Sequence, residues 1–136
     1  MDRSAIRELA FKLIYSIEIQ KTDDLKEAFD LFVEANEITS GKAKDYIEDV
    51  IFGIQKNISD IDNKIEKNLK QEWKLERISK IDLSILRLAI YEIVYKEVPY
   101  KVAINEAVEI SKKYGEDTSK KFVNGILASI VKEIQK

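Results

Sequence analysis

The chain has 136 residues, enough for one domain that buries roughly two thirds of the surface its unfolded form exposes. Its 23 basic and 25 acidic side chains leave a net charge of −2, so bulk charge does not draw it to nucleic acid or an anionic membrane, and an anionic partner must be met by a local patch. With no Cys and no His, the sequence excludes thiol nucleophiles, disulfides, imidazole acid–base chemistry, Ser-His triads and His- or Cys-containing metal sites.

One Pro, four Gly and 35% charged residues favour long helices over a loop-rich β architecture, although the many isoleucines favour strands intrinsically. Periodicity decides between them. Ala5, Ile6, Leu9, Leu13, Ile14 and Ile17 recur at i, i+3, i+4 and i+7, which predicts a first helix from about Ser4 to Gln20. The charges in its first turns leave no apolar stretch for a secretory signal. No segment reaches the roughly 18 uncharged apolar residues of a membrane span, so a soluble, cytoplasmic protein is expected.

Thr22 or Asp23 can cap a second helix with an apolar set of Leu25, Phe29, Leu31, Phe32 and Ala35. A third begins near Thr39 and Ser40 and buries Tyr46, Ile47, Val50, Ile51 and Ile54. Ile58, Ile61, Ile65 and Leu69 either continue it or start a fourth helix around Ser59. Residues 71–76, with the only tryptophan, Trp73, read as an irregular connection in which Trp73 closes over the core. From Ser79 the pattern changes: residues 81–94 are apolar almost all round, as in a central helix enclosed by others. Ser79 and Asp82 suit its start, and Pro99 enforces its end. A helix from about Tyr100 to Tyr114 stops at Gly115, and Asp117 or Thr118 caps a last one whose stripe is Phe122, Val123, Ile126, Leu127, Ile130, Val131 and Ile134. The expected fold is all-α, about seven helices in two packed bundles, about 1–70 and about 75–136, that share a core in a single domain.

Little in this inventory is catalytic. Glu106 and Glu109 share a helical face, but without His, Cys or a phosphate-cradling glycine loop they read as a solvated surface. Asp60 and Asp62 in SDIDNKIEK lack the Gly and terminal Glu of a calcium loop, so no metal site and no cofactor is expected. The basic residues are more informative. Arg3 and Arg7 lie four apart on one helical side, suited to adjacent phosphates, with Lys12 and Tyr15 farther along. Lys120, Lys121 and Asn124 fall within one turn of the last helix, and Lys112 and Lys113 close the helix before it. Residues 98–136 carry seven basic and five acidic side chains, or +2, against sixteen and twenty, or −4, in residues 1–97. Gly125 is unexpected inside a helix, where it costs roughly 1 kcal/mol relative to Ala. Either helices pack closely there, or the small strip Asn124, Gly125 and Ala128 admits a partner's backbone. Phe122 is either core or a stacking platform for an unpaired base.

The segment from Ile85 to Leu127 contains the blocks LRLAIYE, VPYKVAINEAVE and KFVNGIL in an order and spacing that resemble the C-terminal signature of the NusB family of bacterial transcription antitermination factors. RELAFKLIY is similar to the family's first helix, so the likeness spans nearly the whole chain. The resemblance implies a non-enzymatic, RNA-binding, all-helical protein. It implies pairing with NusE, a ribosomal protein of the small subunit, and binding of single-stranded boxA RNA from ribosomal RNA leader transcripts. The complex would join other Nus factors on an elongating RNA polymerase. RNA contacts carried over are Arg3, Arg7, Tyr15, Lys101, Thr118, Lys120, Lys121, Phe122 and Asn124. NusE contacts fall on Asp82, Arg87, Tyr91 and Glu92, with Asp82 standing where glutamate is common, although Arg87 and Glu92 also suit polar partnerships inside the bundle. Arg3 and Arg7 are separated by Ser4, Ala5 and Ile6 where the family often carries three or more arginines, which implies weak RNA binding without NusE. A NusB-like domain also resembles the N-terminal part of certain ribosomal RNA cytosine methyltransferases, but no Cys is present to attack a cytosine. The alternative is a helical protein-interaction module, with Ile19 or Val98 at a homodimer contact and no RNA specificity.

Overall fold

A computed structural model describes residues 1–70 and 73–135. Among them are seven α-helices and one short 3-10 helix, with no strand. The helices are α1 (Arg3–Gln20), α2 (Leu25–Ala35), α3 (Gly41–Lys56), α4 (Ile58–Lys67), α5 (Lys80–Tyr95), α6 (Tyr100–Tyr114) and α7 (Ser119–Ile134), with the 3-10 turn at Leu75–Arg77 between α4 and α5. The chain forms two compact units, Met1–Lys56 and Asn57–Lys136. The division therefore falls between α3 and α4 rather than near residues 71–75. Asn57 breaks the hydrogen-bond ladder there, and α4 packs on α5. Gln71 and Glu72, at the expected seam, lie outside the described residues.

The first unit packs α1 against α3, with α2 against both. Asp2 caps α1 by accepting from the Ala5 N–H at 2.8 Å, so the helix starts at Arg3, one residue ahead of the expected Ser4. Neither Thr22 nor Asp23 caps α2. Asp24 does so, accepting from the Glu27 N–H at 3.0 Å, because three capping-competent residues stand in a row and only one meets the first free N–H groups. Ser40 caps α3 through the Ala43 N–H at 3.2 Å. The core of this unit is Ile6, Ala10, Phe11, Leu13, Ile14, Phe29, Ile38, Ala43, Ile47, Val50, Ile51 and Ile54. Leu31 and Ala35 were expected inside but are exposed, because α2 turns only a narrow stripe centred on Phe29 inward.

In the second unit α5 packs on α4, α6 and α7, and α6 and α7 pack on each other. Every residue from Asp82 to Glu92 is buried, as an apolar helix enclosed by others requires. Ser79 caps α5 through the Asp82 N–H at 3.1 Å. Pro99 does not itself end α5, which stops at Tyr95; it stands immediately before α6, where its missing N–H costs no hydrogen bond. Gly115 ends α6 in an extended conformation, so close approach rather than left-handed backbone selects it: a Cβ there would meet Ser119 Oγ at 2.5 Å and the Ser111 carbonyl at 2.9 Å. No helix among the described residues is long and apolar enough to cross a membrane.

Candidate nucleic-acid interface

Helix α7 carries an exposed strip of basic, amide and small residues. Lys120, Lys121, Asn124, Gly125 and Ala128 are exposed, while Val123, Ile126, Leu127, Ile130 and Val131 are buried. The i, i+4 spacing of Lys120 with Asn124, of Lys121 with Gly125 and of Asn124 with Ala128 aligns the exposed set along the outer side. Thr118, at the N-cap, is exposed and makes no side-chain capping bond. Instead Ser119, buried, accepts from the Glu116 N–H at 3.0 Å and fixes the turn that leads in from α6. A Cβ at Gly125 would meet nothing within 4 Å. Close packing against the described residues is therefore not what the glycine serves, and among them the strip is open to an incoming backbone.

Phe122 is half-buried at the margin of the apolar stripe. Its ring lies 6.3 Å from that of Trp73, with the planes tilted by 32°. Trp73 was expected to close over the core. It is instead 49% exposed, flanked by the exposed Lys70 and Lys74, and its N–H donates to the Lys70 carbonyl at 2.8 Å. Lys101 is exposed in the first turn of α6 between the exposed Tyr100 and Val102.

The first unit contributes its own candidates. Arg3 is exposed, and its guanidinium stands 5.6 Å from the centroid of the Tyr46 ring, a cation–π distance that holds it against α3. Arg7 was expected to stand beside it as half of a phosphate clamp, but it is only 5% exposed. Position 7 lies in one row with Phe11 and Ile14 on the buried side of α1, so its guanidinium offers little surface to a phosphate. Tyr15 is half-buried and stacks on Phe11 at 6.3 Å.

The four residues expected to face a protein partner are all buried in the free chain: Asp82 and Arg87 at the margin, Tyr91 and Glu92 deeper, the last at 3% exposure. Arg87 donates from Nε and Nη2 to both oxygens of Asp62 on α4, at 2.9 and 2.8 Å, in a bidentate pair that joins α4 to α5. Tyr91 stacks on Tyr95 at 5.7 Å, and the Tyr95 hydroxyl donates to Asp60. Burial, with this hydrogen bond next, pushes the Tyr95 phenol up to about 12, while accepting the bond holds the Asp60 carboxyl below its usual range. Desolvation raises the Asp82 carboxyl, against hydrogen bonds from Ser119 and Ser79 that lower it, and one of its oxygens has no hydrogen-bond partner among the described residues. All four residues expected to face the partner are thus buried in the free chain, and Arg87 is engaged within the unit by Asp62. Asp60 and Asp62, considered and rejected as calcium ligands, serve as the α4 side of this framework. Sequence reading missed that role because the partners are 25 and 35 residues away.

Nothing in the arrangement supplies a nucleophile with an adjacent base, and among the described residues no acidic cluster is spaced to hold a metal ion. What it offers is exposed ammonium, amide and half-exposed aromatic groups, which suit a polyanion bearing planar rings.

Comparison with known proteins agrees over nearly the full length. The sequence profile of the NusB family matches residues 4–132. The transcription antitermination protein NusB of Acetivibrio thermocellus is 49% identical over 133 residues, covering 97% of this chain and 90% of its own. A structure of NusB from T. maritima superposes with a TM-score of 0.89 at 39% identity, covering 98% of this chain and 92% of that one. A crystal structure of the antitermination factors NusB and NusE in complex with double-stranded RNA superposes with a TM-score of 0.87 at 27% identity, covering 96% of each chain.

Proposed function

Because the chain belongs to the NusB family, whose members are transcription antitermination proteins rather than enzymes, we propose that it binds boxA RNA of ribosomal RNA leader transcripts together with NusE. The pair then joins other Nus factors on an elongating RNA polymerase in the cytoplasm. The observation that carries this reading is the exposed strip of α7, where Lys120, Lys121 and Asn124 stand within the matched family segment with no burial to explain them. Arg3 and Lys101 add exposed charge, and Thr118 and Phe122 border the strip. Arg7 and Tyr15 support the first helix more than they meet the RNA, given their burial. Asp82, Arg87, Tyr91 and Glu92 shape the α5 side on which NusE docks by fixing α4 and α5 rather than by touching NusE themselves.

With few exposed cations to neutralise phosphates, RNA affinity is modest and its salt slope shallow, with NusE supplying the remainder. The test is a titration of fluorescently labelled single-stranded boxA RNA at near-physiological salt, with and without NusE. A scrambled strand and the same sequence as a duplex serve as competitors, the duplex because a structural relative is known in complex with double-stranded RNA. Selective binding of the single strand, tightened by NusE, is the expected result. Equal binding of all three RNAs in both conditions would refute the reading, and tight selective binding without NusE would refute its dependence on the partner.

A further inference from the structure

Resting on the RNA-binding reading above, we propose that Trp73 is part of the RNA site: with Phe122 it forms a composite aromatic surface on which one unpaired base stacks. A tryptophan that is 49% exposed leaves a large apolar ring in water, and here the ring is held in place. Its backbone N–H is tied to the Lys70 carbonyl, and its indole lies 6.3 Å from Phe122, inside the usual range for an aromatic pair. The pair thus spans the connection after α4 and the first turns of α7, and its Phe122 half adjoins the exposed strip of Lys120, Lys121 and Asn124.

The surroundings choose the occupant. A protein partner's apolar side chain would be met by an apolar rim, whereas here the exposed Lys70 and Lys74 lie three before and one after the tryptophan in sequence, and Lys120 and Lys121 directly precede the phenylalanine. Aromatic faces interleaved with ammonium groups suit a single strand, whose bases stack while its phosphates meet the cations. A base–aromatic contact of this kind contributes to affinity without neutralising a phosphate, so it leaves the salt dependence of binding unchanged. This separates Trp73 from the lysines around it.

Trp73 is the only tryptophan, so the intact protein carries its own reporter. Intrinsic fluorescence is followed while single-stranded boxA RNA is added, in parallel with the anisotropy of end-labelled RNA. The expected result is quenching that saturates at the same RNA concentration as the anisotropy. W73A should weaken binding roughly tenfold with the same salt slope, and W73F should stay within about threefold of the parent. Circular dichroism and the urea midpoint check that both variants are folded. Binding seen by anisotropy with unquenched Trp73 and an unaltered W73A affinity would overturn the role of Trp73 and leave the RNA reading standing. No binding by the parent chain, alone or with NusE, would overturn both. Loss of NusE binding in W73A with RNA affinity intact would overturn the proposal in favour of a protein contact.

Discussion

Helices α5 and α7 both carry blocks of the NusB signature, and they use polar residues in opposite ways. On α5, Asp82, Arg87 and Glu92 are buried, and Arg87 is spent on Asp62. On α7, Lys120, Lys121 and Asn124 are exposed and the neighbouring buried positions are apolar. A polar residue inside a family block therefore has no fixed setting: on the central helix it lies buried within the unit, and on the outer helix it stands exposed. Substitutions on the two helices should separate stability from binding.

The largest effect is expected from R87A. It leaves Asp62 without its bidentate partner in a poorly solvated position, and breaking such a pair costs about 3 kcal/mol. Urea unfolding should show the loss, while RNA affinity measured well below the midpoint stays within about twofold of the parent. A stable R87A protein that no longer binds NusE would reverse the assignment and return Arg87 to the interface.

The converse on α7 is K120A/K121A. Both side chains are exposed, so the unfolding midpoint should hardly move. Removing two phosphate contacts should lower RNA affinity roughly tenfold at near-physiological salt and reduce the slope of log affinity against log salt by roughly 1.4. An unchanged slope would show that these lysines face only solvent.

That contrast was only half legible in the sequence. The α7 strip could be read because its polar positions recur at i+4 beside an unbroken apolar stripe, and exposure follows from periodicity alone. The number and type of helices could be read for the same reason, with errors confined to ends such as Asp24, where adjacent residues compete to cap. The polar residues of α5 could not be placed, since a helix apolar all round has no outer side to read, and the partner of Arg87 lies 25 residues earlier on α4. Arg7 shows the same limit on α1: four-residue spacing put it beside Arg3, but the row it shares with Phe11 and Ile14 carries it inward. Trp73 was misplaced because tryptophan is usually inside, whereas here it pairs with Phe122, some fifty residues away, and stays 49% exposed.

A smaller effect is expected at Gly125, the one position where the outer helix is weakened with no internal reason. Its Cβ site is empty to 4 Å, so G125A should stabilise the protein by about 1 kcal/mol in thermal or urea unfolding. If a partner's backbone passes over the strip, the same methyl weakens RNA or NusE binding. A variant that is stabilised and binds as tightly as the parent would show that the glycine serves no contact.

The smallest effect belongs to Asp82, where α5 carries a desolvated carboxyl with one oxygen lacking a partner. Its folded pKa is raised above 3.8, so between 3.8 and the raised value the fold keeps a proton that the unfolded chain has released. Stability accordingly falls as pH rises through that window, and the full penalty remains at neutrality. D82N removes the buried charge while keeping a group that can accept from Ser119. It should raise the urea midpoint slightly at pH 7, and the advantage should vanish as pH falls below 3.8. A loss of stability at pH 7 would mean that the bonds from Ser119 and Ser79 to the ionised form outweigh its desolvation. The helix would then keep its acid for the framework those bonds build, as it keeps Arg87 for Asp62.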